Sequence, residues 1–136
     1  MANLTQTAAN VRIRSTAPVV ILTASAAVTQ GMPVRPDGDK YRPAQATTAA
    51  NADSRYIAIT PASADGDPFV AVRSGSLVDL GATLVVGETY VVSATAAGAI
   101  APIGDLSSTH FPTILGVATT ASTLQFRPIV GGVAKA

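Results

Sequence analysis

The chain contains no cysteine, no tryptophan, one histidine (His110) and one glutamate (Glu88). Without thiols it forms no disulfide, thiolate zinc site or iron–sulfur cluster and has no cysteine nucleophile. The redox compartment is left open by the same absence. A lone imidazole is too few for the clustered histidines of cupin-type and zinc-hydrolase sites, so no metal and no cofactor are expected. Charge is scarce too: 12% of residues are charged, about half the ~25% of an average soluble domain. A net charge of +1 supplies no concentrated basic stripe, so a nucleic-acid partner is not expected. The longest apolar run, Ala17 to Leu22, falls far short of the roughly 20 residues of a membrane helix, and no membrane partner is expected. Met1 to Thr5 lacks the basic and apolar regions of a secretory signal. The glycines are scattered along the chain and never cluster into a phosphate-binding loop of the GxGxxG or GxxxxGK kind.

What is present is small and β-branched. The 136 residues suit one domain, or one domain with an arm. Their apolar content is mainly Ala and Val, with three Phe and three Tyr. Such a core gains less from burial than one of Leu and Phe, which favours a homo-oligomer. Residues 1–10 are small, polar and aperiodic, and read as an arm. Val11-Arg12-Ile13-Arg14 alternates with period two, which puts its aliphatic side chains on one face and both arginines on the other.

Further strands are expected at Pro18–Leu22, Tyr56–Thr60, Phe69–Arg73, Leu77–Leu80, Gly87–Ser93, Ala99–Pro102, Thr113–Thr119 and Thr123–Arg127. The spacing predicts an antiparallel hairpin between Tyr56–Thr60 and Phe69–Arg73. Asp37-Gly38-Asp39 predicts a tight turn into Lys40-Tyr41-Arg42. The segment before it carries Pro33 and Pro36, so it is at best an edge strand. Gly116, inside a strand pattern, predicts a bulge or a close backbone approach. Thr23–Gln30 reads as strand or loop, and Ala44–Asp53 as loop or one helical turn. About ten short strands divided by Gly, Pro and Asp turns define an all-β chain: a compact β-sandwich or small β-barrel of antiparallel strands with an extended N-terminal arm. Residues 1–16 form the arm and first strand, and residues 17–136 a single all-β domain.

Catalytic chemistry is thin. His110 stands near Ser107, Ser108 and Asp105, but all lie in one loop, whereas triad members come from separate elements that hold them rigid. A solvated loop histidine is the simpler reading, and the chain is not expected to be an enzyme. The two Asp-Gly-Asp sequences, 37–39 and 65–67, can offer carboxylates to Ca²⁺, but are already explained as turn formers. Arg12 and Arg14 form a pair suited to docking on carboxylates. They also suit, as the simpler reading, a solvated edge strand charged against aggregation.

A succession of phrases completes the pattern. Ala26-Ala27-Val28-Thr29-Gln30-Gly31-Met32-Pro33-Val34 is followed by Tyr56-Ile57-Ala58-Ile59-Thr60, Asp65-Gly66-Asp67 and Phe69-Val70-Ala71-Val72. Then come Gly87-Glu88-Thr89-Tyr90-Val91-Val92-Ser93, Gly98-Ala99-Ile100-Ala101-Pro102, Gly104-Asp105-Leu106 and Leu115-Gly116-Val117-Ala118. Over residues 26–130 the chain resembles the small capsid decoration (cement) proteins of tailed bacteriophages. Its segment 31–43 is richer in proline than that resemblance leads one to expect.

The resemblance implies a structural virion protein, made in the cytoplasm of the host bacterium and bound to the outer capsid surface. Its partners would be the major capsid protein and itself, as a homotrimer that bridges neighbouring shell subunits. The N-terminal segment would reach the shell, with Leu4, Val11, Arg12, Ile13 and Arg14 as contact residues. The alternative is a receptor- or glycan-binding module of a head fibre or tail, which calls for an aromatic platform or a metal loop.

Overall fold

The computed structural model describes residues 3–14 and 19–135. The division expected between residues 16 and 17, and Pro18 at the start of the second strand, lie outside the described residues. Eleven strands follow in chain order: β1 (Val11–Ile13), β2 (Val19–Thr23), β3 (Pro33–Asp37), β4 (Lys40–Pro43), β5 (Tyr56–Ala58), β6 (Pro68–Val72), β7 (Ser76–Leu80), β8 (Thr89–Val92), β9 (Ile100–Pro102), β10 (Thr113–Ala118) and β11 (Thr123–Val130). The only helical pieces among the described residues are single 3₁₀ turns at Ala8–Asn10 and Ile103–Asp105.

The chain is all-β. Six strands form one sheet in the order β1-β7-β11-β10-β8-β9, and five form a second in the order β2-β6-β5-β3-β4. Every pairing within them is antiparallel. Of the two architectures open at the sequence level this is the sandwich type, and neither sheet closes into a barrel. The five-stranded sheet nevertheless curls. Just past β2, Ala24 forms a parallel bridge with Tyr41 of β4, and the Ser25 N–H donates to the Tyr41 carbonyl at 2.7 Å.

Two cores result, and the β5–β6 hairpin separates them. Ile57 faces Val72, and Ala58 faces Ala71, across that hairpin. Successive side chains on a strand point to opposite faces. Ile57 and Val72 therefore join the main core with Leu80, Tyr90, Leu115, Leu124 and Phe126. Ala58 and Ala71 enter a smaller cluster with Val34 and Phe69 inside the curl. Both strands are thus buried on both faces, which explains their continuous apolar sequence.

Two expectations change. β3 is not an edge strand, for it lies between β4 and β5. It tolerates two prolines because β5 is short: the β3–β5 pairing covers Pro33 and Val34 only, and Pro36 faces Tyr41 of β4. The first ten residues do not extend from the body as far as they are described. The Leu4 N–H donates to the Ile100 carbonyl of β9 at 2.8 Å, and the Thr7 N–H to the Gly81 carbonyl at 2.6 Å. The Gln6 amide donates to the carbonyls of Gly31 and Leu80. The segment thereby spans the gap between the two outermost strands of the six-stranded sheet.

Candidate functional site

The expected alternation at the first strand is present. Val11 is buried, and Leu4 and Ile13 pack partly buried against the main core. Arg12 and Arg14 face solvent, with 69% and 51% of their side chains exposed. Of the five residues expected to contact a shell, two therefore project outward and three serve packing.

What holds the two arginines is Asp79, which sequence reading passed over. β1 pairs with β7 so that Arg12 stands opposite Asp79, and β7 pairs with β11 so that Asp79 stands opposite Thr123. Three adjacent strands thus place arginine, aspartate and threonine in one row. The nitrogen Nε of Arg14 donates to Oδ2 of Asp79 at 2.7 Å, and Nε of Arg12 to the same oxygen at 3.2 Å. The Thr123 hydroxyl donates to Oδ1 at 2.7 Å. Burial pushes the Asp79 carboxyl up, but the hydrogen bonds from Thr123, Arg14 and Arg12 and the positive charge of Arg14 outweigh it, and its pKa lies below the ordinary value. Asp79 was legible as a charge in the middle of the apolar run Leu77-Val78-Asp79-Leu80; its partners were not.

Around this row lies a polar cleft of about 580 Å³. Thr5, Thr7, Asn10, Thr83 and Ser122 line it together with the two arginines. Each guanidinium spends its Nε on Asp79, and among the described residues no acceptor meets its Nη groups. The cleft therefore presents one net positive charge and forked donors on a rigid strand, an arrangement suited to a carboxylate.

The arrangement makes stability depend on pH. An ionised Asp79 is bound more strongly in the folded chain than in the unfolded one. Its contribution is complete above the unfolded carboxylate value of about 4 and disappears as pH falls through the lower folded value. Thermal melts of the native protein and Asp79→Asn should differ by a constant amount from pH 5 to 7 and converge below pH 4. A gap that does not narrow as pH falls below 4 would show that the ionised carboxylate is not what stabilises.

The other expected chemistry is placed as follows. The Ser107 backbone N–H donates to Nδ1 of His110 at 2.9 Å, which makes this nitrogen an acceptor from its own loop. Asp67 closes its turn by accepting from the Ser63 hydroxyl at 2.7 Å and from the backbone N–H groups of Ser63 and Ala64. These bonds, the Ser63 hydroxyl foremost, hold its carboxyl below the usual range. Asp65 pairs with Lys40 at 2.8 Å and ties the β5–β6 loop to the β3–β4 turn. Among the described residues no three His, Asp or Glu side chains cluster as metal ligands. Tyr41 and Tyr56 meet edge to face, with ring centroids 5.6 Å apart, and pack against the smaller core.

Comparison with known protein families, with curated proteins and with solved structures finds no match for this chain.

Proposed function

We propose that this chain is a structural protein of a tailed-phage head, which binds the outer capsid surface and bridges major capsid subunits as a homotrimer. The observation that carries the reading is the Arg12 and Arg14 pair on β1, the outermost strand of the six-stranded sheet, held by Asp79 of the neighbouring β7. It supplies a docking element whose charged ends are fixed before any partner arrives, so little side-chain entropy is lost on binding. Exposed Val117 and Ile129 on β10 and β11 add apolar area to the same sheet. On the other sheet, Val19 and Ile21 of the edge strand β2 are exposed at 46% and 76%. A β-branched, half-paired strand of this kind is suited to contact between copies.

A copy count tests the proposal. In purified particles from the source, the ratio of this chain to the major shell protein is expected to be of order one. A handful of copies per particle would point to a fibre or tail component, and complete absence would overturn the proposal. On such particles the double variant Arg12→Gln/Arg14→Lys is expected to reach half-occupancy at a concentration at least about tenfold higher than the native chain, a loss of about 1.4 kcal/mol. The lysine keeps a cation beside buried Asp79, so that the readout is binding and not folding.

A further inference from the structure

A second pair of arginines is left unexplained by the fold. In the β3–β4 hairpin, Arg35 stands directly opposite Arg42. Side chains so placed have Cβ atoms about 5 Å apart, and like charges there oppose pairing. The compensation within the chain is slight. One Nη of Arg35 donates to the neighbouring Pro36 carbonyl at 3.1 Å. Arg42 approaches Asp37 at 3.9 Å, an ion pair beyond hydrogen-bond distance. Among the described residues, no other acceptor meets either guanidinium. Arg12 and Arg14, by contrast, share a buried carboxylate.

The pair also has a shaped surrounding. A depression of about 200 Å³ is lined by Arg35, Arg42, Pro43, Gln45, Asn51 and Ala97. The two amides are held in place: the Gln45 Nε2 group donates to the Ala94 carbonyl at 2.9 Å, and the Asn51 Nδ2 group to the Thr47 hydroxyl at 3.2 Å. Each –NH₂ group keeps a second N–H. The lining thus combines two cations, two amides and no carboxylate.

We infer that this depression is an oxyanion site that takes a phosphate group between Arg35 and Arg42. Two guanidiniums facing each other, offset only by the Asp37 carboxylate 3.9 Å from Arg42, present two planar forks and a net positive charge to a tetrahedral oxyanion. The bound anion removes the repulsion across the hairpin. The site does not depend on the role proposed above, because it lies on the other sheet and uses none of the same residues.

The test uses the full chain, with inorganic phosphate as the probe and sodium acetate or sodium chloride at equal ionic strength as comparisons. Phosphate is expected to shift the Arg35 and Arg42 side-chain Nε–Hε NMR signals saturably, while chloride produces no saturating shift and acetate binds at least about tenfold more weakly. At tenfold excess over the midpoint, phosphate is expected to raise the melting temperature by about 5 °C. Arg42→Gln should abolish both effects. In phosphate-free buffer it should melt no lower than the native chain, because it removes a repulsion. Arg42→Lys should retain part of the shift at Arg35. Phosphate shifts that never saturate, or that persist in Arg42→Gln, would overturn the assignment. Equal saturation by acetate would overturn the choice of phosphate.

Discussion

Replacing Tyr90 by alanine is expected to cost about 4 kcal/mol, within the range of roughly 3–5 kcal/mol for deleting a large buried aromatic side chain. Tyr90 lies on β8 and is 2% exposed, among the largest side chains of the main core. Its ring belongs to the main core, to which both sheets contribute, so its removal leaves a cavity in that core. The hydroxyl has a separate task. It accepts the Val85 backbone N–H at 3.0 Å and so pins the loop between β7 and β8. Tyr90→Phe should therefore cost only about 1 kcal/mol. Guanidinium unfolding of the three proteins measures both terms. A Tyr90→Ala midpoint close to that of Tyr90→Phe would mean that the core closes over the missing ring.

The second large effect is expected at Gly116, where alanine should cost at least about 3 kcal/mol and leave much of the expressed protein insoluble. β10 lies inside its sheet, and Gly116 faces Phe126 of β11 on one side and Tyr90 of β8 on the other. The register shifts between Ile114 and Gly116 on both sides, as a bulge requires. A Cβ at Gly116 would sit 1.9 Å from the Gln125 carbonyl oxygen and 3.0 Å from its carbon. Neither can move away, because β11 is itself paired to β7 through Gln125 and Phe126. Gly38 is the control: its φ is +65°, but a Cβ there meets nothing within 4 Å. Gly38→Ala is expected to cost about 1 kcal/mol, the cost of the left-handed backbone alone. Equal melting temperatures for the two variants would refute the steric argument.

The consequence for function concerns rigidity. The row of Arg12, Asp79 and Thr123 lies across β1, β7 and β11, and β11 takes its position from β10 through the bulge at Gly116. Damage at Gly116 is therefore expected to loosen the arginine pair although it touches neither residue.

By itself the sequence determined what depends on neighbours in the chain. Alternation in Val11-Arg12-Ile13-Arg14 separated the buried side chains from the exposed ones. The Tyr56–Thr60 and Phe69–Arg73 segments carried their own hairpin, and Asp37-Gly38-Asp39 its own turn. Gly116 announced its bulge. These features follow from the period of a strand and the backbone demands of a turn, both local properties.

Only the tertiary structure decided which strands lie side by side. Asp79 meets Arg12 across 67 residues of chain. Residues 3–10 lie across the gap between β1 and β9, and β3 enters the sheet despite its prolines. Arg35 and Arg42 were present in the sequence as scattered charges, and the hairpin register made them face each other. A two-residue period tells a side chain which face it occupies and carries no information about the strand beside it. Strand order is set instead by how two sheets can bury their apolar faces together while every long-range backbone pairing is satisfied at once.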